Sequence, residues 1–496
     1  MVEQLKVLFL SPEAVPFAKT GGLADVAGGL PGALKHLGVD IRTVMPLYDM
    51  VRKSNTRLKL LIDDLKIPFG RETLTARVWE AKGVGKVPTY FLEQDELFKR
   101  PNLYGDGRGD YDDNLERFSF YCHGVLRIAE KLSFSPDLIH CNDWQSGLVP
   151  ALLTGPYSRS SVVGASKTIF TIHNLGYQGI FPAEKLWITG LPRDPFFQME
   201  GLEFWGEISL LKAGIVYSDA ITTVSPTYAR QIQTDEYGMG MEGILQHRKS
   251  SLHGILNGVD YKVWNPGMDS HLETPYSPRK IAGKSGCKTS LLKEMKLNQS
   301  LNDKPLLGMI SRLDSQKGLD LLVKVLDDIL SLDVGLVVLG AGSATIQRAL
   351  RKASKNNPGR IGIAIGFDEQ LAHHIMAGAD MFLIPSRYEP CGLTQMYALK
   401  YGTIPIVRAT GGLEDTIIPF NPHTGKGNGF TFTDFKPRAF FASIRNAVNL
   451  YQDTASWKKL RSNAMKEDFS WARSASSYLD LYRSTLKNNK RQDSNA

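Results

Sequence analysis

Three segments gather side chains that can hold an anion or a sugar. Lys19-Thr20-Gly21-Gly22-Leu23-Ala24-Asp25-Val26 joins a full positive charge to two adjacent glycines. Glycines let the backbone turn tightly and approach a ligand, and a helix starting there aims free N–H groups and the positive end of its dipole at an anion. The spacing fits neither G-x-G-x-x-G nor G-x-x-x-x-G-K-[ST], so neither a dinucleotide nor an ordinary P-loop is implied. A plain tight strand-to-helix turn accounts for the glycines equally well. Ser311-Arg312-Leu313-Asp314-Ser315-Gln316-Lys317-Gly318 offers a bidentate guanidinium fork and a mobile ammonium, which together can stabilise a departing diphosphate. Either cation alone also suits a solvated strand end. In Pro385-Ser386-Arg387-Tyr388-Glu389-Pro390-Cys391-Gly392-Leu393-Thr394, Glu389 can accept from ligand hydroxyls while the N–H groups of Gly392, Leu393 and Thr394 receive phosphate or sugar oxygens. The competing assignment makes Glu389 a cap of the next helix and Cys391 a small core filler.

Two further segments, His140-Cys141-Asn142-Asp143-Trp144 and Thr171-Ile172-His173-Asn174-Leu175-Gly176, carry polar groups that can hydrogen-bond sugar hydroxyls. Taken singly, Asp143 and Asn174 serve as well as turn caps, and a lone histidine as a structural one. A second Gly-rich turn stands at Thr410-Gly411-Gly412-Leu413-Glu414-Asp415-Thr416. With no D-x-D pair, histidine cluster or EF-type loop, neither a metal nor any other cofactor is expected.

These segments must be carried by elements that end where they begin. Short apolar runs alternate with longer amphipathic ones, the pattern of βαβ units and parallel sheets. Strands are predicted at 6–10, 41–45, 137–141, 167–171 and 220–224, with helices at 24–37 and 114–132 and a hairpin-like insertion over 57–92. Turn-rich text at 255–278 and a lysine-rich helical stretch to residue 297 mark a linker. A second alternation follows: strands at 305–310, 334–339, 361–365, 381–384 and 404–407, and helices at 317–330, 344–354, 369–376 and 393–400. The predicted class is α/β, two doubly wound Rossmann-like domains facing a central cleft, with ligands outside the carboxyl ends of the strands. The expected divisions are 1–256, 257–470, and a helix from 471 returning to the first domain before a polar tail to 496.

Composition narrows the function class. A chain of 496 residues with 42 % hydrophobic and 22 % charged residues has material for two or three packed domains, which excludes a peptide hormone, bulk disorder and collagen-like repeats. Four dispersed cysteines form no C-x-x-C pair, which argues for reduced thiols in a cytoplasm-like compartment over a zinc ribbon or a disulfide framework. The apolar run 7–10 is short of a signal-peptide core, and no later run reaches a membrane span, so a soluble, cytoplasmic protein is expected. A net charge of +8 suits a phosphate-bearing substrate, and the basic residues, part of them in 487–491, are too dispersed for a nucleic-acid module.

Read in order, the segments resemble the bacterial glycogen synthase and plant starch synthase family of retaining glucosyltransferases. Its K-[TV]-G-G-L-x-D-V, H-x-x-D-W, T-x-H-N-x-x-Y-Q-G, S-R-L-x-x-Q-K-G, P-S-R-x-E-P-C-G-L-T-Q and T-G-G-L-x-D-T patterns all occur in sequence, and the match runs from Lys6 to Tyr482. The resemblance implies a GT-B fold and glucose transfer from ADP-glucose to the non-reducing end of an α-1,4-glucan with the anomeric configuration retained. It implies that Lys19, Gly21, Gly22 and Asp25 approach the donor diphosphate and acceptor region, and that Arg312 and Lys317 neutralise leaving ADP. His173 would hold glucose and stabilise charge at its anomeric carbon. Glu389, Cys391, Gly392, Leu393 and Thr394 would line the glucose and phosphate site, with Asp143, Asn174, Asn257 and the aromatic Tyr104 near the substrate.

Two positions depart from the family pattern: Phe367 stands where a tyrosine often stacks on adenine, and Gln145 where histidine is usual. Relative to the wider glutamate-x7-glutamate pattern of retaining GT-B enzymes, Glu389 is followed eight positions on by Tyr397, as is typical of this family, so one essential carboxylate is expected and not a pair. Rival readings are a UDP-glucose-dependent enzyme and a catalytically silent glucan-binding homologue, the latter opposed by the presence of Lys19, His173, Arg312, Lys317 and Glu389.

Overall fold

The computed structural model describes residues 4–106 and 109–487, so the polar tail and most of the basic run at 487–491 lie outside the described residues. The chain divides into two compact units. One comprises the residues up to Gly258 together with those from Trp471 on, and the other Val259–Ser470.

The first unit is built on a sheet in which nine strands are described. In chain order they are β1 (Lys6–Leu10), β2 (Asp40–Pro46), β3 (Lys59–Phe69), β4 (Glu72–Lys82), β5 (Pro88–Glu93), β6 (Leu138–Asn142) and β7 (Lys167–Ile172). A small separate sheet of β8 (Ile180–Phe181), β9 (Glu203–Phe204) and β10 (Glu207–Ser209) follows, then β11 (Ala220–Thr223) and β12 (Leu252–Gly254). The main order is β12-β11-β7-β6-β1-β2-β5-β4-β3. Only β4 runs against its neighbours. The hairpin expected over 57–92 exists as β3 and β4, but β5 pairs in parallel with β2 and joins it to the main sheet, so it is an edge of the core and no insertion. After Lys6 the central strand β1 is an apolar run because both faces of the sheet are covered, here by helices that include Gly22–His36 and Asn114–Lys131.

Two features of this unit fix site residues. Arg117 is fully buried on the second of these helices and donates to the carbonyls of Leu97 (2.7 Å) and Leu103 (2.8 Å) and to Asn114 (2.6 Å), anchoring the loop that carries Tyr104. The helix Trp471–Lys487 packs on Gly22–His36: a Cβ at Gly29 would lie 2.0 Å from Trp471 Nε1. Tyr482 Oη pairs with His140 Nδ1 at 2.6 Å, and His140 Nε2 with Thr171 at 2.6 Å, so His140 is a buried structural group.

The second unit holds β13 (Leu306–Ile310), β14 (Gly335–Gly340), β15 (Ile361–Ile365), β16 (Met381–Ile384), β17 (Ile404–Arg408) and β18 (Phe430–Phe432), all parallel in the order β15-β14-β13-β16-β17-β18. The helix expected at 317–330 is two pieces, Leu319–Lys324 and Leu326–Leu330. At β-branched Val325 the N–H reaches only three residues back, to Leu322 O, and the α-ladder breaks. The lysine-rich stretch forms Gly283–Glu294, and two of its lysines are buried. Lys288 pairs with Asp380 at 2.7 Å; Lys284 donates to Ala377 O and to Thr403 Oγ1, and burial lowers its pKa to about 7. Among the described residues no helix is long and apolar enough to cross a membrane.

Candidate active site

In the first unit the candidate groups other than Tyr104 and Asn257 sit at the carboxyl ends of three neighbouring strands, β1, β6 and β7. The loop after β1 presents Lys19, Thr20, Gly21 and Gly22 to solvent and leads into Gly22–His36. Lys19 Nζ pairs with Asp25 at 2.7 Å. The two glycine pairs of this segment have different jobs. A Cβ at Gly28 would lie 2.2 Å from Val15 Cγ2, and one at Gly29 would strike Trp471, so these glycines serve packing. A Cβ at Gly21 would meet nothing within 4 Å, and its backbone is extended (φ −153°), so neither packing nor conformation demands glycine there. What its missing side chain leaves is open space in front of a 15-residue helix whose N-cap provides no side-chain hydrogen bond.

Behind that turn lies Glu13, which sequence reading missed although it stands at the end of the first strand in Ser11-Pro12-Glu13. It is 3 % exposed, accepts from the Thr20 backbone N–H, and accepts from Thr20 Oγ1 at 2.9 and 3.1 Å. Burial raises its pKa to about 7, against the lowering effect of these hydrogen bonds.

Asp143 repeats the arrangement after β6. It is buried with φ 53°, its Oδ1 accepts the His173 N–H at 2.7 Å, and burial raises its pKa to about 7. His173 is 8 % exposed, and desolvation lowers its pKa to about 3, so its imidazole is neutral near pH 7. Asn142, also absent from the expected set, orients it. The Asn142 amide nitrogen donates to Leu10 O (2.8 Å), which turns its oxygen towards His173 Nε2 (2.8 Å) and assigns the ring proton to that nitrogen. Asn174 accepts from Gly176 N–H at 3.0 Å, the turn-capping alternative. Among the described residues, the buried Tyr104 Oη and Asn257 Oδ1 have no hydrogen-bond partner.

In the second unit Lys317 Nζ lies 2.6 and 2.8 Å from the two carboxylate oxygens of Glu389, and Ser386 Oγ donates to the same carboxylate at 2.9 Å. Two glycines make this possible. Gly318 (φ 72°) leaves no room for a side chain against Pro385 O, where a Cβ would lie at 1.9 Å, and Gly411 (φ 48°) does the same against Glu389 O. The Thr410–Thr416 turn thus braces the Glu389 segment: Gly412 N–H donates to Glu389 O at 3.1 Å. Arg312 is half exposed, held by Gln316 (2.8 Å) and Asp314 (3.1 Å). Gly392 is left-handed (φ 71°), and the helix Thr394–Tyr401 starts beyond it, with Cys391 buried at its foot. Phe367 is 87 % exposed at the end of β15, two strands from β13. Tyr397 stacks on Trp264 at 4.1 Å, in a packing role. Among the described residues no group of three or more His, Cys, Asp or Glu is arranged to hold a metal.

Residues 6–247 match the model of the starch synthase catalytic domain, and 293–466 that of glycosyl transferases group 1. The glycogen synthase of Syntrophotalea carbinolica is 46 % identical over 97 % of this chain and 99 % of its own length, and that of Desulforamulus reducens 44 % identical over 98 % and 100 %. The chain belongs to the glycogen synthase family. Like other members of that family it is a glycosyltransferase of GT-B type. The catalytic domain of Arabidopsis thaliana starch synthase IV, solved with ADP and acarbose bound, superposes with a TM-score of 0.91 at 33 % identity, covering 98 % of this chain and 100 % of that one. A sucrose-phosphate synthase of Thermosynechococcus elongatus, at 17 % identity and a TM-score of 0.60, shares the fold.

Proposed function

We propose that this glycogen synthase family member transfers glucose from ADP-glucose to the 4-hydroxyl at the non-reducing end of an α-1,4-glucan, with retention, in the cytoplasm and without a metal. The observation that carries the chemistry is the Lys317–Glu389–Ser386 cluster beside Arg312. Two of the three ammonium hydrogens of Lys317 are directed at Glu389, which leaves the third for a phosphate oxygen, and the exposed Arg312 fork adds a second cation. Both act most strongly on the charge that develops as the sugar–phosphate bond lengthens. Glu389 and the N–H groups of Gly392, Leu393 and Thr394 take glucose hydroxyls and phosphate oxygens, and the face of Phe367 takes the base.

On the first unit, Lys19, Gly21 and Gly22 meet the diphosphate and acceptor region, with Asp25 holding Lys19, and Tyr104, Asp143, Asn174 and Asn257 surround the sugar. The neutral His173 contributes through its polarity. A protonated imidazole would repel the positive charge forming at the anomeric carbon, and burial prevents that protonation.

With one carboxylate, and that one ion-paired, a covalent glucosyl enzyme is disfavoured. The bond from the anomeric carbon to the phosphate oxygen breaks, the acceptor oxygen bonds the same face, and its proton passes to an oxygen of the departing ADP. Incorporation of radiolabelled glucose into glycogen from ADP-glucose and UDP-glucose side by side tests this reading. Faster incorporation from UDP-glucose would overturn the choice of donor, and none from either would overturn the activity.

A further inference from the structure

The turn that carries Lys19 is gripped from below by a group that nothing in the family comparison assigns. Residues Lys19–Gly22 are exposed, whereas Glu13 beneath them is almost wholly enclosed. Its carboxylate collects the Thr20 backbone N–H and the Thr20 hydroxyl, and also draws on the Gly21 N–H. Because Gly21 faces open space on its other side, the turn has a carboxylate behind it and room for a ligand in front. We propose that Glu13 is a positioning residue that fixes the Thr20–Gly21 turn from beneath and thereby sets Lys19 and the start of the following helix for glucose transfer. This rests on the transfer reaction proposed above.

The surroundings make that grip dependent on proton concentration. Glu13 feels Asp25 on the first helix, Asp143 after β6, Tyr48 after β2 and Tyr104 on the loop anchored by Arg117, and Arg117 in turn acts on both tyrosines. Burial is the largest influence and raises the carboxyl to about 7. Above that value the carboxylate accepts several N–H and O–H groups at once. Below it, one oxygen becomes a donor and the turn loses an acceptor.

The test compares the full chain with Glu13→Gln and Glu13→Ala, measuring kcat/KM for ADP-glucose from about pH 6 to about pH 8 together with amide exchange of the peptide spanning 18–24. Glutamine mimics the protonated acid and does not titrate. The wild-type to Glu13→Gln ratio of kcat/KM is therefore expected near one at the acid end and on the order of tenfold at the alkaline end. Asp143 titrates in both proteins, so the ratio removes its own contribution except for its coupling to Glu13. Glu13→Ala, with no acceptor oxygen, should lie below Glu13→Gln throughout. The Thr20 and Gly21 amides should exchange faster in Glu13→Gln at the alkaline end, with β1 and β6 unaffected. A ratio independent of pH, unchanged exchange, or faster exchange with unchanged kcat/KM would each overturn the proposal. If wild-type protein transfers no glucose from ADP-glucose, the activity reading fails by itself, and the exchange measurement still decides whether Glu13 holds the turn.

Discussion

The two units solve the same problem, presenting polar groups at strand ends, in opposite ways. In the first, the groups that hold the site together are buried carboxylates, Glu13 and Asp143, each gripping backbone N–H groups of a neighbouring loop, beside the neutral histidine His173. In the second, full charges meet directly, Lys317 on Glu389 and Arg312 near Asp314, with the cations partly open to solvent. The difference teaches where each unit is sensitive. Loops held by buried acids respond to proton concentration, whereas a direct ion pair responds chiefly to removal of one partner.

Removing the lysine should produce the largest effect. Lys317→Ala deletes the cation proposed for the leaving diphosphate and leaves Glu389 buried without its counter-charge, so transition-state stabilisation should fall by about 3 to 4 kcal/mol, read as kcat in the glycogen assay. Unchanged turnover would break the comparison at its stronger end.

Next comes stability against pH. Glu13 loses its proton near 4.5 when unfolded and near 7 when folded, so the folded state holds the extra proton between those values and stability falls as pH rises through them. Glu13→Gln removes this pH dependence, so between pH 4 and pH 8 the unfolding free energy of the variant should fall by up to about 3 kcal/mol less than that of the wild type, read from thermal unfolding. His173 has the opposite sign. Its folded value near 3 lies below the ordinary 6.5, so its contribution is intact above 6.5 and is lost as pH falls towards 3.

A glycine pair sharpens the contrast further. Gly411→Ala must place a Cβ against Glu389 O at a left-handed φ and should cost about 2 kcal/mol of stability, whereas Gly21→Ala should stay within about 0.5 kcal/mol in thermal unfolding while raising KM. A smaller effect than that of Gly411→Ala is expected at Phe367. Truncation to alanine should weaken donor binding by about 1 kcal/mol with kcat preserved, measured by ADP titration.

Much of this was legible in the sequence for a physical reason. Parallel strands buried on both faces, such as residues 7–10 and 335–340, read as continuous apolar runs, and the segments that follow them fall at strand ends by topology alone. Lys317, Arg312 and Glu389 were singled out because their motifs recur together and in order, although each alone also suits a solvated strand end or a helix cap. Glu13 and Asn142 were not, since their importance lies in what they hold 7 and 31 residues away. Nor did periodicity reveal that Lys284 and Lys288 are interior groups, because a lysine whose ammonium finds carbonyl and carboxylate partners is indistinguishable in sequence from a solvated one. The broken helix at Val325 was missed because no glycine or proline announces it.

The helix Trp471–Lys487 has a consequence for biosynthesis. The residues that fill the groove along Gly22–His36 and cover His140 leave the ribosome only after the whole of Val259–Ser470. The uninterrupted unit can therefore mature while the nascent chain is still attached, whereas the half begun first must wait with an apolar seam uncovered until Trp471–Lys487 emerges.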